Sequence, residues 1–228
     1  MILTNSSAAK VGGTNVTAIA SATASFRQLM CYLSTTISTA LTGTRGLIKN
    51  GAGQLTLSGT CNYTGPTQIN DGTLEVTAAS TLNGVISGSG TLRKTGTAIL
   101  TIGGNNTYAG GTSYVAAGTS AYILYTSSNA FGTGLLTVSN AVGRIDTSAN
   151  VTLPNDFQLT TAIQVRTLGA NTITIPGNIA GGGGLTKSGN GTLILSGTLT
   201  YTGQTAITGL LRAFRTTGAS TATATFNS

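Results

Sequence analysis

The 228-residue chain has no histidine and no tryptophan, and only 7% of its residues are charged. Without imidazole there is no Ser–His–Asp or Cys–His machinery, no histidine metal ligand and no side chain that titrates near neutrality. Acids are equally scarce: Asp71, Glu75, Asp146 and Asp156 are the whole set. Two cysteines, Cys31 and Cys61, cannot complete a zinc site, and two buried thiols are expected in preference to a disulfide. No catalytic residue, cofactor or metal is therefore expected. Long apolar runs are missing too. Residues 26–41 come nearest but are too polar after Leu33 to span a bilayer. The opening Met-Ile-Leu-Thr-Asn-Ser-Ser lacks the charged and apolar regions of a secretory signal. Neither a membrane span nor a signal peptide is expected in this chain.

The charge that is present is unbalanced, with 11 basic residues giving a net +7. Apart from Arg93–Lys94 and the Arg212/Arg215 pair, those residues stand singly. A solvated, generally cationic surface is the expectation, with no specific nucleic-acid site and only a weak case for an acidic polymer. What the chain has in quantity is threonine (45), glycine (33) and serine (20), with 39% apolar residues and a mean hydropathy of +0.24. Threonine suits a pleated sheet, threonine and glycine are poor in helices, and glycine marks turns. The composition predicts an all-β protein.

Three segments superpose without gaps over their central part: Lys49-NGAGQLTLSGTCNYTGPTQI-Asn70, Lys94-TGTAILTIGGNNTYAGGTSY-Val115 and Lys187-SGNGTLILSGTLTYTGQTAI-Thr208. Each runs from its Lys to a Gly two residues on (Gly51, Gly96, Gly189). Alternating apolar residues follow (Leu55/Leu57, Leu100/Ile102, Leu193/Leu195), then a Gly (Gly59, Gly104, Gly197), a Tyr 14 residues after the Lys (Tyr63, Tyr108, Tyr201) and a closing Gly (Gly65, Gly110, Gly203). The spacing is 45 residues and then 93, close to two units, with a degenerate unit (GTGLLTVSNAVGRIDTSANVTL) between. The alternation makes short strands with one apolar and one Thr/Ser face, and glycines end them where the chain turns. No such repeat buries its apolar face alone, so successive repeats must stack. A 45-residue period fits two coils of a parallel β-helix. Propeller blades of similar period carry Trp-Asp and Gly-His signatures that are missing here, and four scattered acids cannot supply a calcium-binding nonapeptide roll.

The strings GAGQLTLSGTCNYTGPTQINDGTLEV and GGGGLTKSGNGTLILSGTLTYTGQTAITG resemble the autotransporter-associated β-strand repeat of bacterial type V passenger domains, and the likeness runs over roughly residues 46–213. It implies a right-handed parallel β-helix of roughly seven to nine coils over residues 46–215. Residues 1–45 are then an N-terminal cap or oligomerisation segment, and 216–228 a low-complexity tail. The implied function is a non-catalytic structural or adhesive surface protein, cell-surface or extracellular. The alternative is a phage virion or filament component that self-assembles. A polysaccharide-degrading β-helix enzyme comes third, because it needs paired carboxylates and Asp71/Glu75 or Asp146/Asp156 do not reliably share a groove.

Two recurring side chains are the candidate ligand-facing residues. Tyr63, Tyr108 and Tyr201 share one register of the repeat and could form an aromatic ladder for sugars. The competing expectation packs each ring over the turn after its strand with the hydroxyl at the surface. Lys49, Lys94 and Lys187 are expected to keep their charges in solvent over packed stems, and as a row could bind anionic glycans. Self-association and other proteins of a surface or virion assembly are the further expected partners. The run Gly181–Gly184 lacks the Gly-Lys-Ser/Thr ending of a phosphate loop and reads as a turn.

Overall fold

A computed structural model describes residues 9–11, 26–115, 117–118, 120–208, 214–216 and 224–226. Of these, 9–11, 26–30, 214–216 and 224–226 are described by backbone alone. The described chain is all β. Every strand pairing in it is parallel, and the strands stack as a β-solenoid. Each coil has three sides. In one coil the chain passes through Gly46–Asn50 on a first face, Gln54–Leu57 on a second and Cys61–Tyr63 on a third, then rejoins the first at Thr67–Ile69. The third face is one ten-stranded sheet, with about nine turns between its first and last strands. The second face is an eight-stranded sheet. Register partners on successive coils lie 18 to 24 residues apart, from Thr73↔Thr91 to Thr112↔Leu136.

The alternation read from the repeat decides what is inside. Leu55, Leu57, Leu100, Ile102, Leu193 and Leu195 are all fully buried, and the apolar core runs as one continuous column through the coils. Between Phe26 and Ile207 successive strands are separated by two to ten residues, and glycine holds several corners at positive φ, among them Gly51 (+79°), Gly96 (+70°) and Gly189 (+78°).

The first face is split into a five-stranded and a four-stranded sheet. In the gap the chain passes through 105–108 and 128–132 without forming strands, and buried asparagines take over from the ladder. Asn106 Oδ1 accepts from the Ile86 amide (2.7 Å) while its Nδ2 donates to Ala130 O (2.7 Å). Asn155 Nδ2 donates to Gly132 O (3.0 Å) and Gly134 O (2.8 Å). The longest corner, after Val115, is held by Tyr114, whose hydroxyl donates to Ala121 O and accepts from the Arg144 amide at 3.2 Å.

The expected boundary at residue 45 does not appear in the backbone. Phe26–Cys31, Thr35–Ile37 and Leu41–Gly43 already stack in parallel register on Gly46–Asn50, Gln54–Leu57 and Cys61–Tyr63. Apart from Ala9–Val11, which pairs with Leu29–Cys31, the rest of the proposed cap lies outside the described residues. So does most of the 216–228 tail, although Ala224–Phe226 pairs with Thr205–Ile207. Both cysteines are buried, and neither is in a disulfide.

Candidate functional site

The three repeat lysines do not reach solvent. Lys49, Lys94 and Lys187 are among the most buried side chains of the molecule, at 0%, 0% and 2% exposure. This corrects the expectation of solvated charges, and the cause is local. In each Lys-x-Gly the glycine bends the chain with positive φ, and the lysine of the strand just ended places its ammonium against carbonyls of that corner. Lys49 Nζ donates to Gly51 O, Asn50 O (3.4 Å) and Asp71 O (2.9 Å), the last from the coil above. Lys94 Nζ donates to Thr95 O and Gly96 O, and Lys187 Nζ to Gly189 O. Each ammonium is thus held by corner carbonyls instead of water. Burial lowers all three lysines below their ordinary range, Lys94 to about 8 even with Glu75 opposing the shift.

The tyrosines are enclosed too, hydroxyl included. Tyr63, Tyr108 and Tyr201 each bond the threonine four residues on: Tyr63 Oη to Thr67 Oγ1 at 2.7 Å, Tyr108 to Thr112 and Tyr201 to Thr205 at 2.5 Å. The signal was in the sequence as Tyr-x-Gly-x-Thr. It ties the end of one side to the start of the next across a corner, and it corrects the expectation of a surface hydroxyl. Neither set forms a row. Lys49 lies on the first face, Lys94 on the second and Lys187 on the third. Tyr63 lies on the third. Tyr108 lies on the first, between amides that bond Ile86 O and Gly88 O. Tyr201 lies on the second, between amides that bond Ile179 O and Gly181 O. The 45 residues from the first repeat to the second make two coils plus one further side, and the 93 from the second to the third make four coils plus one further side, so each repeat is rotated by one face from the one before. None of these six residues forms a ligand-facing ladder.

Burial also makes the tyrosines sensitive to alkali. It raises Tyr108, Tyr114, Tyr125 and Tyr201 above the usual phenol range. In the unfolded chain a phenol ionises near pH ~10. The stability these groups contribute is therefore whole below that pH and falls as pH rises above it. The expected result is that phenolate absorbance from these residues grows in only together with loss of β circular dichroism. Their ionisation in a chain that remains folded would contradict the enclosure.

Caging the lysines also changes the outer charge. Among the described side chains four arginines (Arg45, Arg93, Arg144, Arg166) stand against four carboxylates (Asp71, Glu75, Asp146, Asp156), and the remaining cations are the three caged lysines. The solenoid body is therefore close to neutral on the outside, which corrects the generally cationic surface expected for it. Lys10, Arg27, Arg212 and Arg215 lie outside the described side chains.

The carboxylates do not come together as a hydrolytic pair. Asp71 and Asp156 accept backbone amides at corners, from Gly72 and Asn178, both at 2.7 Å. Glu75, on the second face, accepts from Gln54 (2.8 Å), Thr56 (2.9 Å) and Thr95 (3.0 Å) and lies 3.7 Å from Arg93. Asp146, on the third face, is buried between Arg144 (3.2 Å) and Arg166 (2.5 Å). Among the described residues no three His, Cys, Asp or Glu side chains gather as a metal site. No described helix is long and apolar enough to cross a membrane.

The passenger-associated transport repeat matches residues 47–76, 92–119 and 185–209. These matches coincide with the three superposed segments, so the coils just described are its structural form. The chain carries autotransporter passenger repeats. It is 35% identical over 190 residues to the adhesin BmaC autotransporter of Brucella suis biovar 1 (strain 1330). The alignment covers 72% of this chain but spans only 5% of that relative's length. No solved structure matches. The comparisons favour the passenger reading and lend no support to a virion or filament component or to a polysaccharide-degrading enzyme. In this chain the recurrent Lys-x-Gly and Tyr-x-Gly-x-Thr elements are corner fasteners.

Proposed function

We propose that this chain is an adhesive module of a bacterial surface passenger, a non-catalytic solenoid that holds ligand-contacting side chains away from the cell. The observation that carries the reading is the repeat itself, matched three times, together with 35% identity to an autotransporter adhesin. The geometry supports it in two ways. The interior is sealed by apolar side chains and by fastened corners, so the repeating units supply length and stiffness. The outward rows are mostly polar side chains, with Ile48, Leu124 and Ile194 among them, and every described carboxylate is already engaged in a hydrogen bond or an ion pair. Such faces offer contact area rather than a reaction centre.

The test is retention under flow. Inert beads bearing the purified chain are compared with beads bearing an unrelated solenoid of similar length, on cultured epithelial cells and on extracellular-matrix coatings. Severalfold greater retention on at least one surface is the expected result. Equal retention on all of them, or release of reducing ends when the chain is incubated with polysaccharides, would overturn the proposal.

A further inference from the structure

On the third face two outward rows run side by side. Tyr122, Arg144, Gln164 and Thr186 are register partners in one, and Asp146, Arg166 and Ser188 in the other. Strand spacing sets successive members about 4.8 Å apart. Asp146 is fully buried here although it points away from the core, because two arginine side chains close over it. Arg166 donates to Asp146 Oδ2. Arg144 lies 3.2 Å from Oδ1 and stacks its guanidinium 4.0 Å over the Tyr122 ring.

Three features separate this cluster from the other outward polar group. Around Glu75 each carboxylate oxygen accepts from aligned side chains, two at Oε2 and one at Oε1, and a single arginine balances a single acid. Around Asp146 two arginines face one acid, leaving one positive charge locally uncompensated, whereas the other described arginines and carboxylates are two against three. Moreover, Arg166 Nε and Ser188 Oγ are buried without a hydrogen-bond partner, and Arg144 Nε and Asp146 Oδ1, 3.2 Å apart, pair as charges without an aligned hydrogen bond. Unsatisfied buried polar groups are costly, and their concentration in one patch marks a place where the fold leaves bonds unmade.

We infer that this patch is a ligand subsite for a carboxylated glycan. The inference rests on the adhesive reading and assigns its ligand class. A carboxylate added beside Arg144 and Arg166 restores charge balance and presents acceptors to a planar guanidinium, the geometry at which arginine excels. Gln164 and Thr186, in the row of Arg144, offer an amide and a hydroxyl to the ring hydroxyls of the same sugar. A peptide strand finds less here, because this face lies in the middle of a parallel ladder with its backbone groups already paired, and strand addition needs a free edge.

The experiment titrates the purified full chain with polygalacturonate, with its carboxyl-reduced form, with dextran sulfate and with poly-L-glutamate. The expected result is binding to polygalacturonate, at least tenfold weaker binding of the reduced polymer, and no comparable binding of the other two polyanions. Two variants locate the site. Arg144→Gln with Arg166→Gln removes the surplus charge but leaves Asp146 buried without its cations, which destabilises that coil. Thr186→Glu instead adds a repelling charge over the patch and leaves the ion cluster intact. A tenfold or greater loss in Thr186→Glu at unchanged melting temperature supports the site, and unchanged affinity in that folded variant overturns it. Equal binding of the reduced polymer overturns the carboxylate, and preferred binding of poly-L-glutamate overturns the glycan in favour of an acidic peptide. Bead retention on cells separates the two levels. If retention persists while polygalacturonate does not bind, the subsite falls and the adhesive function stands; if both fail, both fall.

Discussion

Alanine in place of Gly189 is expected to destabilise the chain by about 2–5 kcal/mol, from two costs that neighbouring glycines allow to be separated. Gly189 is the corner glycine of the third repeat. Its φ is +78°, and a β-carbon there would stand 2.0 Å from Thr167 O of the coil below. The first cost is the left-handed conformation, about 1–2 kcal/mol for a residue with a side chain. The second is the overlap with a backbone carbonyl that belongs to the ladder and cannot swing aside, about 1–3 kcal/mol. Gly43 has the conformation (+92°) with open space around it, and Gly177 has the contact (1.9 Å to Asn155 O) without the positive φ. Each alanine variant should show one cost alone. Gly182 has neither, and alanine there should be neutral or stabilise by about 0.4–1 kcal/mol through the unfolded chain. Urea midpoints of the four variants check the series. A Gly189→Ala variant no worse than Gly43→Ala would show that the coils have room to spread.

Methionine at all three repeat lysines is the second large effect. The substitution keeps most of the buried stem and removes only the donors. With about 1–3 kcal/mol for corner carbonyls that lose their partner, and with cages that share no acceptor, the three losses should add to several kcal/mol. The pH dependence identifies the cause. Lys94 has a folded value of about 8 against ~10.4 unfolded, so between these pH values the unfolded chain binds more protons and the wild-type stability rises with pH. The neutral amine still has two N–H groups for Thr95 O and Gly96 O, and the cage survives deprotonation. Lys94→Met has no such proton to lose. Its deficit should therefore be smaller at pH 7, where losing the lysine also relieves a buried charge, and larger at pH 9.5. A deficit that shrinks with pH, or the absence of one, would mean that the ammonium is solvated.

These fasteners show where reading along the chain succeeds and where it stops. The alternation at Leu55/Leu57, Leu100/Ile102 and Leu193/Leu195 identifies inward faces because a strand has period two whatever it packs against. Glycine at fixed offsets identifies corners because few other residues turn there. Repetition then requires stacking, since no unit has enough apolar surface of its own. The parallel solenoid, its coil count and its passenger resemblance were legible for those reasons.

The fate of Lys49, Lys94 and Lys187 was not, because a lysine beside a turn is ordinarily solvated. Only the inward tilt of the corner carbonyls, fixed by the coil above and below, makes the interior a place for an ammonium. The Tyr-x-Gly-x-Thr spacing was visible, yet its hydroxyl-to-hydroxyl bond depends on the angle at which two faces meet. Nor does a shared register in sequence mean a shared face in space. Whether repeats line up depends on coil circumference, and the 45 residues from Lys49 to Lys94 overshoot the two intervening coils, of 20 and 19 residues, by one side. The same geometry draws Asp146 and Arg166, 20 residues apart, into contact on the third face. Sequence by itself determined the strand, the turn and the need to stack, all local or summed properties. Tertiary structure alone decided which charges are interior, which repeats face which way, and which outward side chains meet, because those depend on where each coil closes upon the next.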